Sequence, residues 1–315
     1  MEIERNIDNI ELSYDQLLLL IRRAFPDCQK IDVWGILSGG AANTSYKFMV
    51  GNEAFVLRLY TRNRMHCKTE QELLRLIQSK VPVAELVYSD EKYEPWAYAI
   101  FRFVAGLHID KVSSEFKTSL SSELGRVLAL IHSFKFPHAG LFGEGLSIAQ
   151  SFEPGSSPYF EEAYNILSKA GNARLRLGNK LADNILSFMQ QNQEYFPRVG
   201  NNICLVHSDF KPVNLLYTPQ GTICVLDWEF AHSGMGIMDF AILLRHRHQF
   251  SLDLDALKSG YESNGGVLPA EWFRSALITD FVNIIQLLNT PAERPKLFNE
   301  LKIAIESTMN QNFNR

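Results

Sequence analysis

The feature that most constrains this 315-residue chain is the stretch at residues 206–229, VHSDFKPVNLLYTPQGTICVLDWE. Two short apolar runs, residues 215–217 and 222–226, are separated by the turn sequence TPQG. Apolar runs joined by a short turn predict an antiparallel hairpin. Pairing of the two runs would bring Asn214, which precedes the first run, next to Asp227, which follows the second.

The polar side chains of this hairpin indicate phosphoryl-transfer chemistry. Mg²⁺ in proteins is commonly held by one or two carboxylates together with phosphates and water, so Asn214 and Asp227 are candidate metal ligands. Asp209 lies five residues before Asn214 and could accept the proton of a hydroxyl group. Lys211 could stabilise a phosphoryl group in transit, and His207 could brace the loop. Each residue alone could be a turn acid or a capping asparagine; the combination carries the interpretation.

Composition places the chain among ordinary globular proteins. Its residues are 46% hydrophobic and 21% charged, and its net charge of −4 does not favour nucleic acid as a partner. The first residues lack a secretory signal pattern, and no apolar run is long enough to span a membrane, so a cytoplasmic location is expected. Two of the four cysteines, Cys204 and Cys224, lie in apolar runs and are expected to be buried and reduced. The oligomeric state stays open.

Upstream of the hairpin, the pattern predicts a small sheet with one main helix. A helix capped by Ser13 is expected over residues 13–25. The expected strands cover residues 31–37, 44–50, 54–60, 86–88 and 96–104, and a second helix covers residues 66–80. Ala105-Gly106 breaks the pattern. We therefore expect a domain at residues 1–105 and a second one at residues 106–315.

Between the first two strands lies Gly39-Gly40, followed by Asn43 and Thr44. Paired glycines let backbone amides approach a phosphate closely, although a plain hairpin turn would look the same. Arg58 lies on the third strand, on the face opposite its apolar residues. Glu70, in the following helix, could reach across to Arg58, or could be an ordinary acid of the first helical turn.

Downstream, helices are expected over residues 159–169, 177–190, 238–246, 252–263, 269–288 and 291–309, with a loop at residues 136–155. A further helix is expected to end at His132, which we interpret as a packing residue and not a ligand. The densest basic run is Arg245-His246-Arg247-His248. It could be a solvated helix face, or a contact with phosphate or a partner.

The sequence does not identify the molecule that accepts the phosphate. Four acids of the downstream helices, Glu161, Glu162, Glu271 and Asp280, could hold a cationic amine, or could lie on ordinary solvated helix faces.

The motif H207-S-D209-F-K211-P-V-N214, followed by L226-D227-W-E229, resembles the aminoglycoside phosphotransferase/choline kinase family, within the protein-kinase-like fold. Upstream, LSGGAANTSYKF, FVLRLY, the Glu70 helix and AIFRFVAG occur in the order typical of that family's amino-terminal lobe. The resemblance covers roughly residues 30–245. It implies an α+β, two-lobed fold: a small antiparallel sheet with one main helix, and a larger, mostly helical lobe that carries the catalytic hairpin.

The resemblance also implies an activity, which is transfer of the γ-phosphate of ATP to a hydroxyl group of a small molecule, with Mg²⁺. Aminoglycosides or other amino or sugar alcohols lead as acceptors by family association alone. Asp209 and Lys211 would be catalytic, and Asn214 and Asp227 would bind the metal. The nucleotide-binding residues would be Gly39, Gly40, Asn43, Thr44, Arg58, Glu70, Phe101, Arg102 and Phe103. Asp239 resembles the family's structural aspartate.

Two alternatives differ in class. A protein serine/threonine kinase would share the Asp-Phe-Lys-Pro loop, but Trp228-Glu229 follows Asp227 where Phe-Gly would be expected. Only eleven residues separate Asp227 from Asp239, too few for a peptide-docking segment. A kinase-shaped binding protein without turnover is the other alternative, and the intact Asp209, Asn214 and Asp227 argue against it. Arg58 stands where protein kinases carry lysine.

Overall fold

The computed structural model of the protein describes residues 7–37 and 43–311. The described residues form two compact units. The first unit extends to Ile109 and also contains Gly143–Ser147 and Val213–Phe230. The second unit consists of Asp110–Phe142, Ile148–Pro212 and the chain from Ala231 onward. The motif of residues 206–229 is therefore divided between the units, with the change at Pro212.

The helices and strands of the described residues are as follows. The helices are α1 (Tyr14–Ala24), α2 (Met65–Ile77), α3 (Lys117–His132), α4 (Pro158–Leu167), α5 (Asn172–Leu177), α6 (Asn179–Gln191), α7 (Ile237–Arg245), α8 (Leu254–Ser263), α9 (Trp272–Thr279), α10 (Phe281–Asn289) and α11 (Pro295–Met309). The strands are β1 (Asp32–Ile36), β2 (Thr44–Val50), β3 (Glu53–Tyr60), β4 (Leu86–Asp90), β5 (Ala97–Arg102), β6 (Leu107–His108), β7 (Gly140–Phe142), β8 (Ile148–Ser151), β9 (Cys204–Val206), β10 (Leu215–Tyr217), β11 (Ile223–Val225) and β12 (His232–Gly234).

An antiparallel sheet in the order β1-β2-β3-β5-β4 forms the body of the first unit. Alternate residues of β3 are buried, among them Phe55, Leu57 and Leu59. They belong to one core with the apolar face of α1. Ser13 caps α1, since its hydroxyl accepts from the N–H of Gln16 and the Gln16 side chain accepts from the Ser13 N–H. The predicted strands and capped helix are confirmed here.

The hairpin of the motif forms as predicted. β10 pairs with β11 in antiparallel register, with Leu215 opposite Val225, and β6 adds a third strand. The approach of β6 explains the glycine before it. A Cβ atom at Gly106 would lie 2.9 Å from the carbonyl oxygen of Tyr217, so only glycine lets the chain pass this hairpin without a shift.

The second unit is mostly helical, and its tightest helix contact is between α3 and α8. A Cβ atom at Gly125 would lie 2.1 Å from the carbonyl oxygen of Leu257, and one at Gly260 would lie 2.1 Å from that of Ser122. Two glycines on facing helices allow this close approach of backbones. Because α3 ends at His132, the crossing fixes the position of that histidine. A small sheet in the order β8-β7-β12-β9 completes the unit.

The second unit also departs from the sequence pattern. The expected loop at residues 136–155 contains β7 and β8, and the single helix expected over residues 269–288 is two helices, α9 and α10, that meet at Asp280. Helix α5 was not predicted. Strands of three or four residues have too few positions to show a period, and tertiary pairing defines them. All four cysteines are buried and unpaired, as expected for Cys204 and Cys224.

Candidate active site

Arg58 is the centre of a charge cluster in the first unit. Its Nη1 lies 3.3 Å from Oε2 of Glu70 and 3.3 Å from Oδ1 of Asp227. Burial works to lower the pKa of Arg58, but the negative charges of Asp227 and Glu70 outweigh it and hold this pKa well above its usual range. The ion pair between Arg58 and Glu70 that the sequence suggested is therefore present, and Arg58 also holds the residue that ends the hairpin.

Glu70 ties α2 to β3 and to the end of the hairpin through three contacts. Besides its pair with Arg58, it accepts a hydrogen bond from the backbone N–H of Trp228 at 3.0 Å and one from the hydroxyl of Tyr60. Its side chain is 3% exposed. A buried carboxylate with several donors fixes the groups around it. Glu70 thus positions the backbone immediately after Asp227.

Glu229 belongs to the same cluster, although the sequence analysis assigned no role to it. It accepts from Nδ2 of Asn43 at 2.9 Å and contacts Nδ1 of His66 at 3.3 Å. Burial would raise the pKa of Glu229, but the hydrogen bonds of His66 and Asn43 and the charge of Arg58 lower it below its usual value. We call Glu70, Asp227 and Glu229 around Arg58 the acidic cluster. An acid two residues after a metal-ligand candidate was the available signal for Glu229.

The hairpin brings the two candidate metal ligands to one end. The N–H of Leu226 donates to the carbonyl of Asn214 at 2.9 Å, so Asp227 directly follows a residue bonded to Asn214. Asp227 has a positive φ of 66°, uncommon for a residue with a side chain. One carboxylate and one amide oxygen at one end of a hairpin are a donor set that suits Mg²⁺. The residues present therefore fit such an ion.

The loop with Asp209 and Lys211 lies in the second unit. The carboxylate of Asp209 is 2.8 Å from Nζ of Lys211, and the N–H of Lys211 donates to the carbonyl of Asp209. The N–H of Asp209 in turn donates to Nδ1 of His207, which is fully buried. The predicted bracing role of His207 agrees with this geometry. The loop presents a carboxylate with a cation at its side.

Asp239, on α7, holds the backbone of this loop. Its two carboxylate oxygens accept from the N–H of His207 at 2.9 Å and from the N–H of Ser208 at 2.7 Å. Ser208 has a positive φ of 63°, a strained conformation that persists only where its surroundings hold it. The completely buried Asp239 supplies that restraint immediately before Asp209.

His132 completes the support. Its Nε2 lies 3.1 Å from Asp239 and its Nδ1 lies 2.9 Å from the hydroxyl of Tyr261. Burial alone would raise the pKa of Asp239, but the hydrogen bond and charge of His132, with the contacts of His207, lower it below its usual value. His132 is thus a packing and positioning residue at the end of α3, as predicted.

Several predicted nucleotide-binding residues have protein partners in the first unit. Thr44 is completely buried, and its hydroxyl accepts from the N–H of Ile10 at 3.0 Å. Packing within the unit is therefore an alternative to the predicted phosphate contact of Thr44. Phe101 lies under the Arg58 guanidinium at 5.7 Å, and the Phe103 ring faces Nζ of Lys47 at 3.6 Å.

Arg102 pairs with Glu53 at 2.9 Å and with Glu85 at 2.7 Å, and its side chain is 42% exposed. Such a surface ion pair is an alternative to the predicted nucleotide contact. Gly39 and Gly40 lie outside the described residues. Roles in nucleotide binding stay predictions for all these positions.

The basic run is not a solvated helix face. Arg245 ends α7 with a side chain that is 9% exposed and lies 3.4 Å from the carboxylate of Asp280. Arg247 is half-buried and donates to the carbonyl of Leu244 at 2.8 Å. Asp280 is itself buried, so it is not the solvated acid that the helical pattern suggested. Glu161, Glu162 and Glu271 are exposed, as expected for solvated faces.

Comparison with known proteins identifies the family. The model of the phosphotransferase enzyme family, APH, matches residues 34–273. The chain belongs to this family. Membership of this phosphotransferase family favours a small-molecule acceptor over the protein-kinase alternative.

Solved structures share the phosphotransferase fold across almost the whole chain. Aminoglycoside phosphotransferase APH(4)-Ia is 16% identical with a TM-score of 0.68, covering 93% of this chain and 98% of its own. A ternary complex of streptomycin, ATP and APH(2'')-IIa is 16% identical with a TM-score of 0.61, covering 94% of this chain and 97% of its own. The expected protein-kinase-like α+β fold is confirmed.

A curated relative is Acyl-CoA dehydrogenase family member 11 of Rattus norvegicus, 24% identical over 219 residues. The match covers 65% of this chain and 27% of the rat protein, so it spans about a quarter of that relative's length. Within residues 7–37 and 43–311, no helix of the phosphotransferase combines the length and apolar character needed to cross a lipid bilayer.

Proposed function

We propose that this phosphotransferase moves the γ-phosphoryl group of ATP to a hydroxyl group of a small molecule, with Mg²⁺ as cofactor. The observation that carries this proposal is the acidic cluster: Arg58 held between Glu70 and Asp227, with Asn214 at the same end of the hairpin. Arg58 supplies a cation that can contact phosphate. The carboxylate of Asp227 and the amide of Asn214 can hold a metal ion, and the three groups together are typical of a nucleotide-binding site.

ATP as the donor is supported by structures with the same fold. A thermostable variant of APH(4)-Ia, 17% identical with a TM-score of 0.67, forms a ternary complex with AMP-PNP and hygromycin B. APH(2'')-IIa forms one with ATP and streptomycin. We infer that ATP binds this chain in the first unit, where Arg58 would contact its phosphates. Mg²⁺, when bound at Asn214 and Asp227, would neutralise charge on the phosphates.

Asp209 is the proposed base. The acceptor oxygen attacks the γ-phosphorus, the new O–P bond forms, the bond from the γ-phosphorus to the bridging oxygen breaks, and ADP leaves. The hydroxyl proton passes to the carboxylate of Asp209. Lys211, 2.8 Å from that carboxylate, supplies positive charge for the phosphoryl group in transit. Asp239 and His132 act through the loop, as positioning residues.

The test is ADP formation from Mg·ATP with a panel of hydroxylated acceptors, together with calorimetry of Mg·ATP binding. We expect saturable binding and transfer to at least one acceptor. Binding with neither transfer nor slow ATP hydrolysis would favour the binding protein without turnover. The absence of nucleotide binding at millimolar concentration would contradict the proposal itself.

A further inference from the structure

Four residues of the second unit, Lys211, Arg245, His246 and Arg247, form a second cluster of charge, which we call the basic cluster. Lys211 belongs to the loop of Asp209, and the other three lie where α7 ends. Burial, together with the positive charges of Arg245 and Lys211, lowers the pKa of His246 well below its usual value. Through Lys211, whose Nζ lies 2.8 Å from the carboxylate of Asp209, the basic cluster adjoins the proposed base.

The arginines of the basic cluster share one carboxylate. Arg245 pairs with Asp280 at 3.4 Å, and Arg247 also acts on the charge of Asp280. Burial raises the pKa of Asp280 to about 6, and the two arginines with Asn283 only partly oppose it. The Arg245 guanidinium thus pairs with a buried carboxylate on which the charge of Arg247 also acts. A buried charge needs a counter-charge with good hydrogen bonds, and one carboxylate cannot supply two.

Hydrogen bonding at this position is also incomplete. Among the described residues, Nε and Nη1 of Arg245, Nδ1 of His246 and Oδ1 of Asp280 are buried and have no hydrogen-bond partner. Arg245 is more than nine-tenths buried. Buried donors without acceptors are uncommon in folded proteins because each costs roughly 1–3 kcal/mol. Two of these atoms, Nη1 of Arg245 and Oδ1 of Asp280, face each other at 3.4 Å in an ion pair without hydrogen-bond geometry. The donor left without any acceptor is Nε of Arg245, and an anion would supply an acceptor and charge together.

The net charge of the basic cluster indicates which charge the phosphate acceptor can carry. Three cations, Lys211, Arg245 and Arg247, face two carboxylates, Asp209 and Asp280. Asp280 was the one buried acid among the four that could have held a cationic amine. Its charge is taken up by the arginines. An amine placed here would meet a surplus of like charge, which disfavours binding.

We propose that the phosphate acceptor of this protein carries an anionic group, a carboxylate or a phosphate, which binds to Arg247 and Arg245 beside Lys211. The inference rests on the proposed function, since it names the substrate class of that reaction. Arginine forms a fork that matches both anions in a bidentate manner. His246, held neutral, is a further hydrogen-bond partner for the same group.

Four acceptors that share a three-carbon skeleton test the charge preference of the wild-type enzyme. They are glycerol, which is neutral, serinol, which is a cation, glycerate, which carries a carboxylate, and glycerol 3-phosphate. We expect kcat/KM for glycerate or glycerol 3-phosphate to exceed that for glycerol and serinol by roughly tenfold or more. The two anions distinguish carboxylate from phosphate. Equal or better transfer to serinol or glycerol overturns the proposal.

If none of these acceptors is turned over, calorimetry of anion binding tests the proposal. Acetate and inorganic phosphate are titrated into enzyme saturated with Mg·ADP, so that the nucleotide site is filled. The variant is Arg247→Gln, which removes the charge but can still donate to the Leu244 carbonyl. We expect one anion to bind wild type and to bind the variant roughly 10- to 100-fold more weakly. Failure of both anions to bind wild type, or equal binding to the variant, overturns the proposal.

The matched control is Arg126→Ala, because Arg126 lies on α3 of the same unit and is fully paired with Glu123 by hydrogen bonds of 2.6 and 2.7 Å. It is expected to bind the anion as wild type does. Where an anionic acceptor is turned over, Arg247→Gln should raise its KM and leave kcat and the KM of Mg·ATP nearly unchanged. If wild type does not bind Mg·ADP, the result counts against the proposed function. Failure of the proposed function can therefore be distinguished from failure of the anion-site proposal.

Discussion

The two charged clusters of this protein differ in the sign of their net charge: acidic side chains exceed basic ones in the first, and basic side chains exceed acidic ones in the second. In the acidic cluster, one arginine faces Asp227, Glu70 and Glu229. In the basic cluster, Arg245 pairs with Asp280, and the charge of Arg247 acts on the same carboxylate. A protein interior tolerates a surplus of charge poorly, unless a ligand of the opposite sign balances it. The surplus of acid fits a metal ion, and the surplus of base fits an anion. The clusters would then divide the reaction, with donor and metal at one and acceptor at the other.

Removal of Asp209 is expected to have the largest effect. Asp209→Ala should lower phosphoryl transfer by roughly 10²–10⁴-fold, the usual contribution of a positioned base. Nucleotide binding should stay near wild type, since the acidic cluster is untouched. Single-turnover kinetics with calorimetry measure both. An unchanged rate of transfer would contradict the assignment of Asp209 as the base. A parallel loss of nucleotide binding would show that the two clusters are not independent in function.

Asp239→Ala should affect stability and transfer together. The variant leaves the backbone N–H groups of His207 and Ser208 without their acceptor, and each buried donor left unpaired costs roughly 1–3 kcal/mol. Denaturant unfolding measures this cost. Asp239→Asn keeps the volume and is the milder variant. If Asp239→Ala unfolds with wild-type free energy, the restraint on the Asp209 loop must come from elsewhere.

The lowered pKa of Asp239 predicts a pH dependence with a definite sign. A carboxyl whose pKa is lower in the folded state contributes stability that is present above its unfolded pKa, near 3.9. That contribution is lost as the pH falls through the lower folded pKa. Wild type should therefore lose stability more steeply than Asp239→Asn on acidification below about pH 4. Parallel curves in urea at several pH values would contradict this.

Asp227→Asn should weaken Mg·ATP binding roughly 10- to 100-fold, since a charged ligand becomes a neutral one. The same variant should leave anion binding at the basic cluster unchanged. Calorimetry with and without Mg²⁺ separates the metal-dependent part of the affinity. A loss that is equal in both conditions would point to release of Arg58 from its pair with Asp227 and not to metal binding.

The smallest effect is expected at Arg102. Arg102→Ala should change the free energy of unfolding by less than about 1 kcal/mol, because its pairs with Glu53 and Glu85 are solvent-exposed. It should also leave Mg·ATP affinity near wild type. A loss of affinity of tenfold or more would restore the nucleotide contact that the family resemblance implied for Arg102, and would extend the nucleotide site beyond the acidic cluster.

Local sequence pattern was sufficient to predict the five-stranded sheet and the hairpin of the first unit, but not β6. The strands around Arg58 are long enough for alternation to be visible, and a capping box marks the start of α1. The hairpin of residues 215–226 could be predicted because its strands and turn are consecutive in sequence. The same local logic paired Arg58 with Glu70. It failed for β7, β8 and the break between α9 and α10, which short segments and tertiary pairing define.

The sequence by itself determined the family, the identity of the motif residues and the convergence of Asn214 and Asp227, because these depend on spacing along a short stretch. Only the tertiary structure decided the state of the charges. A basic run and a helical acid each looked solvated in isolation. Their burial against one another, with two arginines on one carboxylate, depends on how α7 packs near the start of α10. Charge balance in a protein interior is a property of packing, and no local period encodes it.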